Sequence, residues 1–151
     1  MVDQAKIESI IGYHFQSVSL LTEALEAAGR AVTHETEGGM DGNKRLALVG
    51  DAILTLIHVD LWYPSEKDRE IAQDAIRKDT SNINLQRLAE HLGITEEVLP
   101  NPSQKSLGRI PKTTAASTME ALLAAVWLDS DKDFEKVREV ARNMGVTKHA
   151  A

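Results

Sequence analysis

The sequence predicts an all-α fold, and three observations support this prediction. Apolar residues recur every three or four positions along almost the whole chain. Alternating runs typical of half-buried strands are absent. Gly12, Pro64 and Gly93 stand where periodic segments stop. We therefore expect a multi-helix fold, and the 151 residues fit a single domain, 1–151, with a core of its own.

Three helices are predicted in the first half of the chain. Isoleucines at helical spacing indicate a short first helix that ends at Gly12. Ser19 is the expected N-cap of a second helix, which stops at Gly29. A glycine-rich loop over 37–42 then leads to a long apolar helix over 44–63, and the proline that follows ends it.

Two amphipathic helices come next. Ser65 with Asp68 forms a capping pair for a helix that runs to about Lys78. Ser81 begins another, whose apolar face of leucine, isoleucine and alanine ends before Gly93.

The last part of the chain is predicted to be a loop followed by two helices. Three of the four prolines lie within 99–111, so this stretch is predicted to be loop. The segment 114–128 is a strongly apolar helix. The segment 133–144 is charged and amphipathic, and it closes at Gly145.

Composition excludes several classes of protein. The chain has no cysteine, which rules out disulfides, thiolate zinc sites and cysteine nucleophiles. Its net charge of −6 is the wrong sign for binding nucleic acid by charge alone, although a divalent metal or a local basic stripe can bridge two anions. Asp51, His58 and Asp60 interrupt the longest apolar run, so we predict no membrane span. No targeting signal begins the chain, and we expect an intracellular protein, cytoplasmic or nuclear.

The two most apolar helices each contain one carboxylate, Asp51 in the first and Glu120 in the second. If the helices pack side by side, the two groups converge on a site suited to Mg²⁺ or Mn²⁺, which can hydrolyse phosphodiesters. The alternative is structural, because buried charges also need ion-pair partners. Asp51 would then cap a neighbouring helix or pair with Lys44 or Arg45, and Glu120 would pair with Lys112 or a backbone amide.

Several motifs, read in order, resemble the ribonuclease III family. Residues 43–51 read NKRLALVGD, where the family signature has the form NERLEFLGD. Residues 116–129 read ASTMEALLAAVWLD, which is similar to the second motif, AD-x-x-EAL-x-GA-x-x-LD. Two shorter matches are the Thr-His pair at 33–34 and the Ser-Asn-x-x-Leu-x-x-Leu-Ala segment at 81–89.

The resemblance implies a metal site built from four carboxylates, two from each motif. In this chain Ala47 stands where a Glu is expected and Asp51 where the Asp is expected. Ser117 stands in place of an Asp, while Glu120 matches the family Glu. Asp51 and Glu120 are therefore the expected catalytic and metal-binding residues, with Ser117 as a weak ligand. We expect Mg²⁺ or Mn²⁺ to bind loosely, or only together with RNA.

The resemblance implies double-stranded RNA as the ligand. Lys105, Arg109 and Lys112 form the densest basic stretch without acids and are candidate contacts to RNA phosphates. The alternative is that they are solvated loop residues. The chain leaves no room for the double-stranded RNA-binding domain of many family members, so we expect weak, salt-sensitive RNA binding.

The long helix is apolar on nearly all sides, which predicts that it is central or crosses a subunit interface. A homodimer through this helix fits both options, with an interface formed by Leu46, Leu48, Val49 and Ile53.

Two functions are compatible with these residues and motifs. One is a metal-dependent endoribonuclease of reduced activity. The other is a non-catalytic member of the same fold that serves as an RNA-binding or assembly subunit, including as a heterodimer partner of an intact nuclease.

Overall fold

A computed structural model describes residues 2–32 and 36–147, and this part of the chain is all-α, as predicted. Thr33 and His34, matched above to the family, lie outside the described residues. Short 3-10 turns connect some of the helices, and the described residues contain no strand, only an isolated bridge between Glu26 and Leu99. The helices are α1 (Gln4–Ile11), α2 (Val18–Leu25), α3 (Lys44–Trp62), α4 (Arg69–Asp79), α5 (Asn82–Leu92), α6 (Pro102–Leu107), α7 (Lys112–Asp129) and α8 (Phe134–Asn143).

Helix α7 is the centre of the fold. Residues 114–119 and 121–126 are all buried, because α2, α3, α5 and α8 pack around them. Its alanines, such as Ala115, Ala121 and Ala125, are fully buried and let neighbouring helices approach closely. The second apolar helix is therefore internal.

Helix α3 differs from α7, because only one side of it is buried within the chain. Leu54 and Ile57 face the core, whereas Leu48, Leu56 and Val59 are exposed. The apolar character of the helix on all sides therefore has two origins. One face packs on α7 and the other faces away from the chain.

The end of α2 corrects the sequence prediction. Ser17, not Ser19, is the N-cap, and its hydroxyl accepts a hydrogen bond from the backbone N–H of Leu20. The helix ends at Leu25 rather than near Gly29. The reason is a distant pairing, in which the N–H of Leu99 donates to the Leu25 carbonyl and the N–H of Ala27 donates to the Leu99 carbonyl.

Two further predictions were wrong in detail. Asp68 alone caps α4, accepting from the N–H of Glu70, so Ser65 is not part of the cap. The segment predicted as a loop over 99–111 contains α6, which a capping box between Asn101 and Gln104 begins. Proline at the first position of a helix is favourable, so Pro102 marks a helix start there rather than a break.

The long apolar helix meets the length and composition of a membrane span over Lys44–Ser65, with a mean hydropathy of 1.5. The segment meets this criterion even though it contains the polar residues Asp51, His58 and Asp60. In this fold its buried residues pack against α7, which gives them an apolar partner within the chain. The absence of a membrane span remains a prediction.

Candidate active site

The site is formed where α3 and α7 cross with their backbones in contact. Gly50 of α3 lies against the backbone of Glu120 on α7, and a Cβ atom at position 50 would overlap the Glu120 carbonyl group. Only glycine allows this approach without moving one of the helices. The crossing therefore fixes the neighbouring residue, Asp51, beside Glu120.

The two carboxyl groups, which the sequence predicted would converge, are brought together by this crossing. The pKa of Glu120 is raised to about 8, first by burial and then by the hydrogen bond and negative charge of Asp51. The Lys44 ammonium acts in the opposite direction and lowers the pKa of Glu120. A shared cation would relieve the repulsion between the two carboxylates, as would a shared proton.

The two positions that lack acids lie beside this pair on the same helices. Ala47 and Ser117 are buried, with exposed fractions of 6% and 7%. The Nζ atom of Lys44 donates a hydrogen bond of 2.7 Å to the Ser117 hydroxyl oxygen. The site thus contains one ammonium group, one buried hydroxyl and two carboxyl groups.

The structural alternatives for Asp51 and Glu120 do not appear in the part of the chain that the structure describes. Asp51 is exposed rather than enclosed by the apolar run, and no described ion pair joins it to Lys44 or Arg45. Nor does an ion pair join Glu120 to Lys112 there. Asp51 therefore does not need the ion-pair partner that the structural alternative supposes, since this side of α3 reaches solvent.

The residues present fit a divalent cation only in part. Asp51 and Glu120 offer carboxylate oxygens, which Mg²⁺ and Mn²⁺ prefer. Among residues 2–32 and 36–147, however, no group of three or more His, Asp and Glu side chains converges on one point. Ala47 has no ligand atom, and the Ser117 hydroxyl is already bound to Lys44.

The three candidate RNA-binding residues lie on different elements of local structure. Lys112 begins α7 rather than lying in a loop, and Lys105 is on α6. Arg109 and Lys112 line a cavity of about 700 Å³ together with Glu90 and Glu96. The acidic residues in that lining reduce its positive potential, so the basic stretch of the sequence is a mixed surface in space.

The four predicted interface residues divide into two pairs. Leu48 and Val49 are exposed, at 75% and 39%. Leu46 and Ile53 are 4% and 7% exposed, because they point into the core against α7. This corrects their assignment as main interface residues, since both belong to the core, although Leu46 also lines the floor of a groove beside Leu48.

Sequence reasoning missed the roles of two residues in the signature. Asn43 is buried, and its side-chain amide donates to the Ala24 carbonyl (2.9 Å) and to the Thr118 hydroxyl (3.1 Å), which ties α2, α3 and α7 together. Lys44 supplies a cation to the site. The motif could have revealed the role of Lys44, since the signature form NERLEFLGD has an acid where this chain has a lysine.

Comparison with known proteins identifies similar sequences and folds. A family model described as ribonuclease-III-like matches residues 25–148. Ribonuclease 3 of Campylobacter curvus is 30% identical over 147 residues, which are 93% of this chain and 60% of that protein. Ribonuclease 3 of Caldanaerobacter subterraneus is 33% identical over 139 residues, or 89% of this chain and 58% of that protein. The chain thus spans about three fifths of the length of these relatives.

A solved structure has the same fold. The nuclease domain of ribonuclease III from Campylobacter jejuni superposes with a TM-score of 0.78 at 20% identity, covering 92% of this chain and 93% of that one. A second crystal structure of that nuclease domain also gives 0.78 and covers 98% of this chain. One of the two is described as showing structural flexibility in a region involved in dimer formation.

Proposed function

Because the chain belongs to the ribonuclease-III-like family, we propose that it acts on double-stranded RNA in RNA processing, by divalent-metal-dependent hydrolysis of phosphodiester bonds with reduced activity. The observation that carries this proposal is the meeting of Asp51 and Glu120 where α3 and α7 cross. Family membership supports the reaction class, and the two remaining acids support its location. An intracellular site of action, cytoplasmic or nuclear, is part of the same proposal.

Asp51 and Glu120 would hold the cation, which when bound would supply an activated water and neutralise charge on the leaving oxygen. The pair provides fewer negative charges than the four-acid family site. A Mg²⁺ or Mn²⁺ ion therefore binds weakly here, and an RNA phosphate oxygen would have to complete its coordination. Reduced activity is the expected consequence.

The RNA contacts are proposed to come from Lys105 on α6, Arg109 in the connection that follows it, and Lys112 at the start of α7. Lysine and arginine bind phosphate oxygens without reading sequence, so recognition would follow the shape of an A-form duplex. Because Glu90 and Glu96 share the cavity with Arg109 and Lys112, binding should be weak and sensitive to salt.

The test is cleavage of long duplex RNA with Mg²⁺ and then with Mn²⁺, in the wild type and in Asp51→Asn and Glu120→Gln. We expect slow cleavage in the wild type and a loss of about 100-fold or more in each variant, because each removes a ligand of the cation. Adding back the two acids, as Ala47→Glu with Ser117→Asp, should raise both activity and metal affinity. Glu139→Gln on the exposed face of α8 removes a like charge elsewhere and serves as the control.

Equal cleavage by the wild type and by Glu120→Gln would reject this proposal, because it would point to a contaminating nuclease. No gain from restoring the two acids would show that the low activity has another cause than the missing ligands.

A second candidate function is supported by the contact of Lys44 with Ser117. An ammonium group 2.7 Å from this hydroxyl already supplies positive charge to the site, so the fold needs no metal there to remain stable. On this basis the chain would be a non-catalytic RNA-binding or assembly subunit. Duplex RNA binding without cleavage in either metal, in the wild type, would favour this second function.

We also propose that the chain forms a homodimer through the exposed side of α3. Leu48, Ala52, Leu56 and Val59 follow one another at intervals of three or four on this side, and all are exposed. Leu48 also lines a groove together with four other apolar residues and two charged ones: Leu20, Leu46, Val49, Leu128, Glu23 and Arg45. An exposed leucine at a largely apolar groove that also holds an acid and a base supports the self-complementary surface that a twofold interface requires.

Sedimentation equilibrium tests the dimer. The wild type should be dimeric at micromolar concentration, and Leu48→Glu should weaken dimerisation by about 100-fold or more, because it would bury an unpaired charge in the interface. Ile83→Glu changes an equally exposed residue on α5 and should leave the dimer intact. A wild type that is monomeric under these conditions would remove the homodimer, and the same measurement after mixing with an intact ribonuclease III would test a heterodimer.

A further inference from the structure

Lys44 places a positive charge inside the candidate metal site. It is the first residue of α3, one turn before Ala47 and two turns before Asp51, so all three lie on the same side of that helix. Its Nζ atom donates to the Ser117 hydroxyl at 2.7 Å, and its charge reaches Glu120 on the next turn of α7. The ammonium is therefore hydrogen-bonded to one group of the candidate site and influences the charge of another, although no described ion pair joins it to either carboxylate.

We propose that Lys44 is a resident cation of this site, which occupies the coordination space of a divalent ion and competes with it. This inference rests on the proposed function, since it takes Asp51 and Glu120 to be the metal-binding pair. An ammonium group and a metal ion bind the same oxygen atoms, and two positive charges a few ångströms apart repel each other. A metal can bind only when the Lys44 side chain moves away.

Through its contact with Ser117, Lys44 competes with a metal ion for an oxygen ligand as well as repelling the ion by its charge. A lone pair of the buried hydroxyl oxygen is occupied by the hydrogen bond from Lys44. Ser117 is the last oxygen donor left at the two degenerate positions, because Ala47 has none. Displacement of Lys44 would thus release a third oxygen ligand at the same time as it removes the repulsion.

The Lys44 side chain can make this movement at little cost. The residue is exposed, and its ammonium group is held at the site by the hydrogen bond to Ser117. Swinging a lysine into solvent breaks that hydrogen bond and leaves the backbone of α3 unchanged. The site therefore has two arrangements, one closed by lysine and one open to metal.

The experiment measures Mn²⁺ binding by the whole chain, using the electron paramagnetic resonance signal of free Mn²⁺, so that no cleavage is required. Lys44→Gln should bind Mn²⁺ at least about tenfold more tightly than the wild type, because it removes the competing charge. Lys44→Arg keeps the charge and should bind no more tightly than the wild type. Lys136→Gln removes a lysine from the exposed face of α8 and should change the affinity by less than about twofold.

A second substitution tests where the ion binds. In the Lys44→Gln chain, Glu120→Gln should weaken Mn²⁺ binding again by about tenfold or more, because it removes a carboxylate ligand. Thermal unfolding of each variant shows whether it is folded, and Lys44→Arg provides a folded comparison if Lys44→Gln is not.

The proposal is overturned if Lys44→Gln binds Mn²⁺ no more tightly than Lys136→Gln. Weaker RNA binding in Lys44→Gln at unchanged Mn²⁺ affinity would also overturn it, since Lys44 would then be a phosphate contact. The proposed function fails in a different way, when Glu120→Gln has no effect on Mn²⁺ binding or cleavage in any background. No Mn²⁺ binding by either chain would count against both.

Discussion

Two acidic residues on α7, Glu120 and Asp129, lie in the same motif but in opposite surroundings. Asp129, the last residue of the helix, accepts three hydrogen bonds: from the Tyr13 hydroxyl at 2.7 Å and from the backbone N–H groups of Gln16 and Ser17 at 2.9 and 2.7 Å. Glu120 lies in the middle of the helix beside another acid, and its pKa is raised to about 8.

The difference shows how to separate a structural carboxylate from one available to a ligand. Three donors already bind the Asp129 carboxylate, so its charge is largely satisfied within the chain, and it joins the segment before α2 to the end of α7. Burial, and after it the same contact with Asp129, raises the pKa of Tyr13. Glu120 faces a like charge and one lysine, so its ionised form gains from a cation that the protein does not fully provide.

The largest effect should come from Asp129→Asn, which tests the structural half of this comparison. The Asn side chain keeps one oxygen and replaces the other by an NH₂ group, which cannot accept, so either the Ser17 N–H or both the Tyr13 hydroxyl and the Gln16 N–H lose their acceptor. We expect a loss of about 2 to 4 kcal/mol in the free energy of unfolding, measured by urea denaturation, because hydrogen bonds to a charged group are lost and donors are left without acceptors.

Asp131→Asn is a matched control two residues further on. Asp131 is exposed with φ of 58°, a conformation that asparagine also adopts readily, so its stability should change by less than about 0.5 kcal/mol. If the two variants were equally stable, the three hydrogen bonds of Asp129 would not contribute as described.

A smaller effect is expected from Glu120→Gln on the pH dependence of stability without metal. The pKa of Glu120 is about 8 in the folded chain, and its usual value is 4.5. Between pH 4.5 and about pH 8, the folded chain therefore holds a proton that the unfolded chain has released. Stability should therefore fall as pH rises through this window and level off above it. Allowing for solvent screening, the fall is on the order of 1 to 2 kcal/mol, and Glu120→Gln should remove it.

Glu139→Gln on α8 should retain the fall, and saturating Mn²⁺ should reduce it in the wild type because the ion stabilises the ionised pair. A wild-type chain and Glu120→Gln with the same pH profile would show that Glu120 ionises like a solvated acid.

The starts of α5 and α8 were predictable from the sequence. Ser81 and Asp133 cap α5 and α8 as expected, because a cap is satisfied by backbone groups within three residues. The end of α2 was not predictable, since it depends on hydrogen bonds to Leu99, far along the chain. Local patterns carry no information on such pairings.

The two acidic residues of the candidate site were predictable from the sequence, but the lysine ammonium group beside them was not. The motifs identified Asp51 and Glu120, and helical periodicity placed 47 with 51 and 117 with 120 on shared faces. The hydrogen bond from Lys44 to Ser117 depends on how two helices cross and on a side-chain conformation. The sequence left open whether α3 is central or crosses a subunit interface, because a helix that is apolar all round can bury its second side either in the chain or in a subunit contact.

The contact at Gly50 means that the backbone sets the spacing of the two carboxyl groups. The main chains of α3 and α7 touch at this point, and no side chain separates them. An amino acid larger than glycine would spread the helices and disturb the packing of α7 on every side, whether or not the chain turns over a substrate. The glycine in this signature is thus an architectural requirement, and a variant that has lost every trace of catalysis would still need it in order to fold.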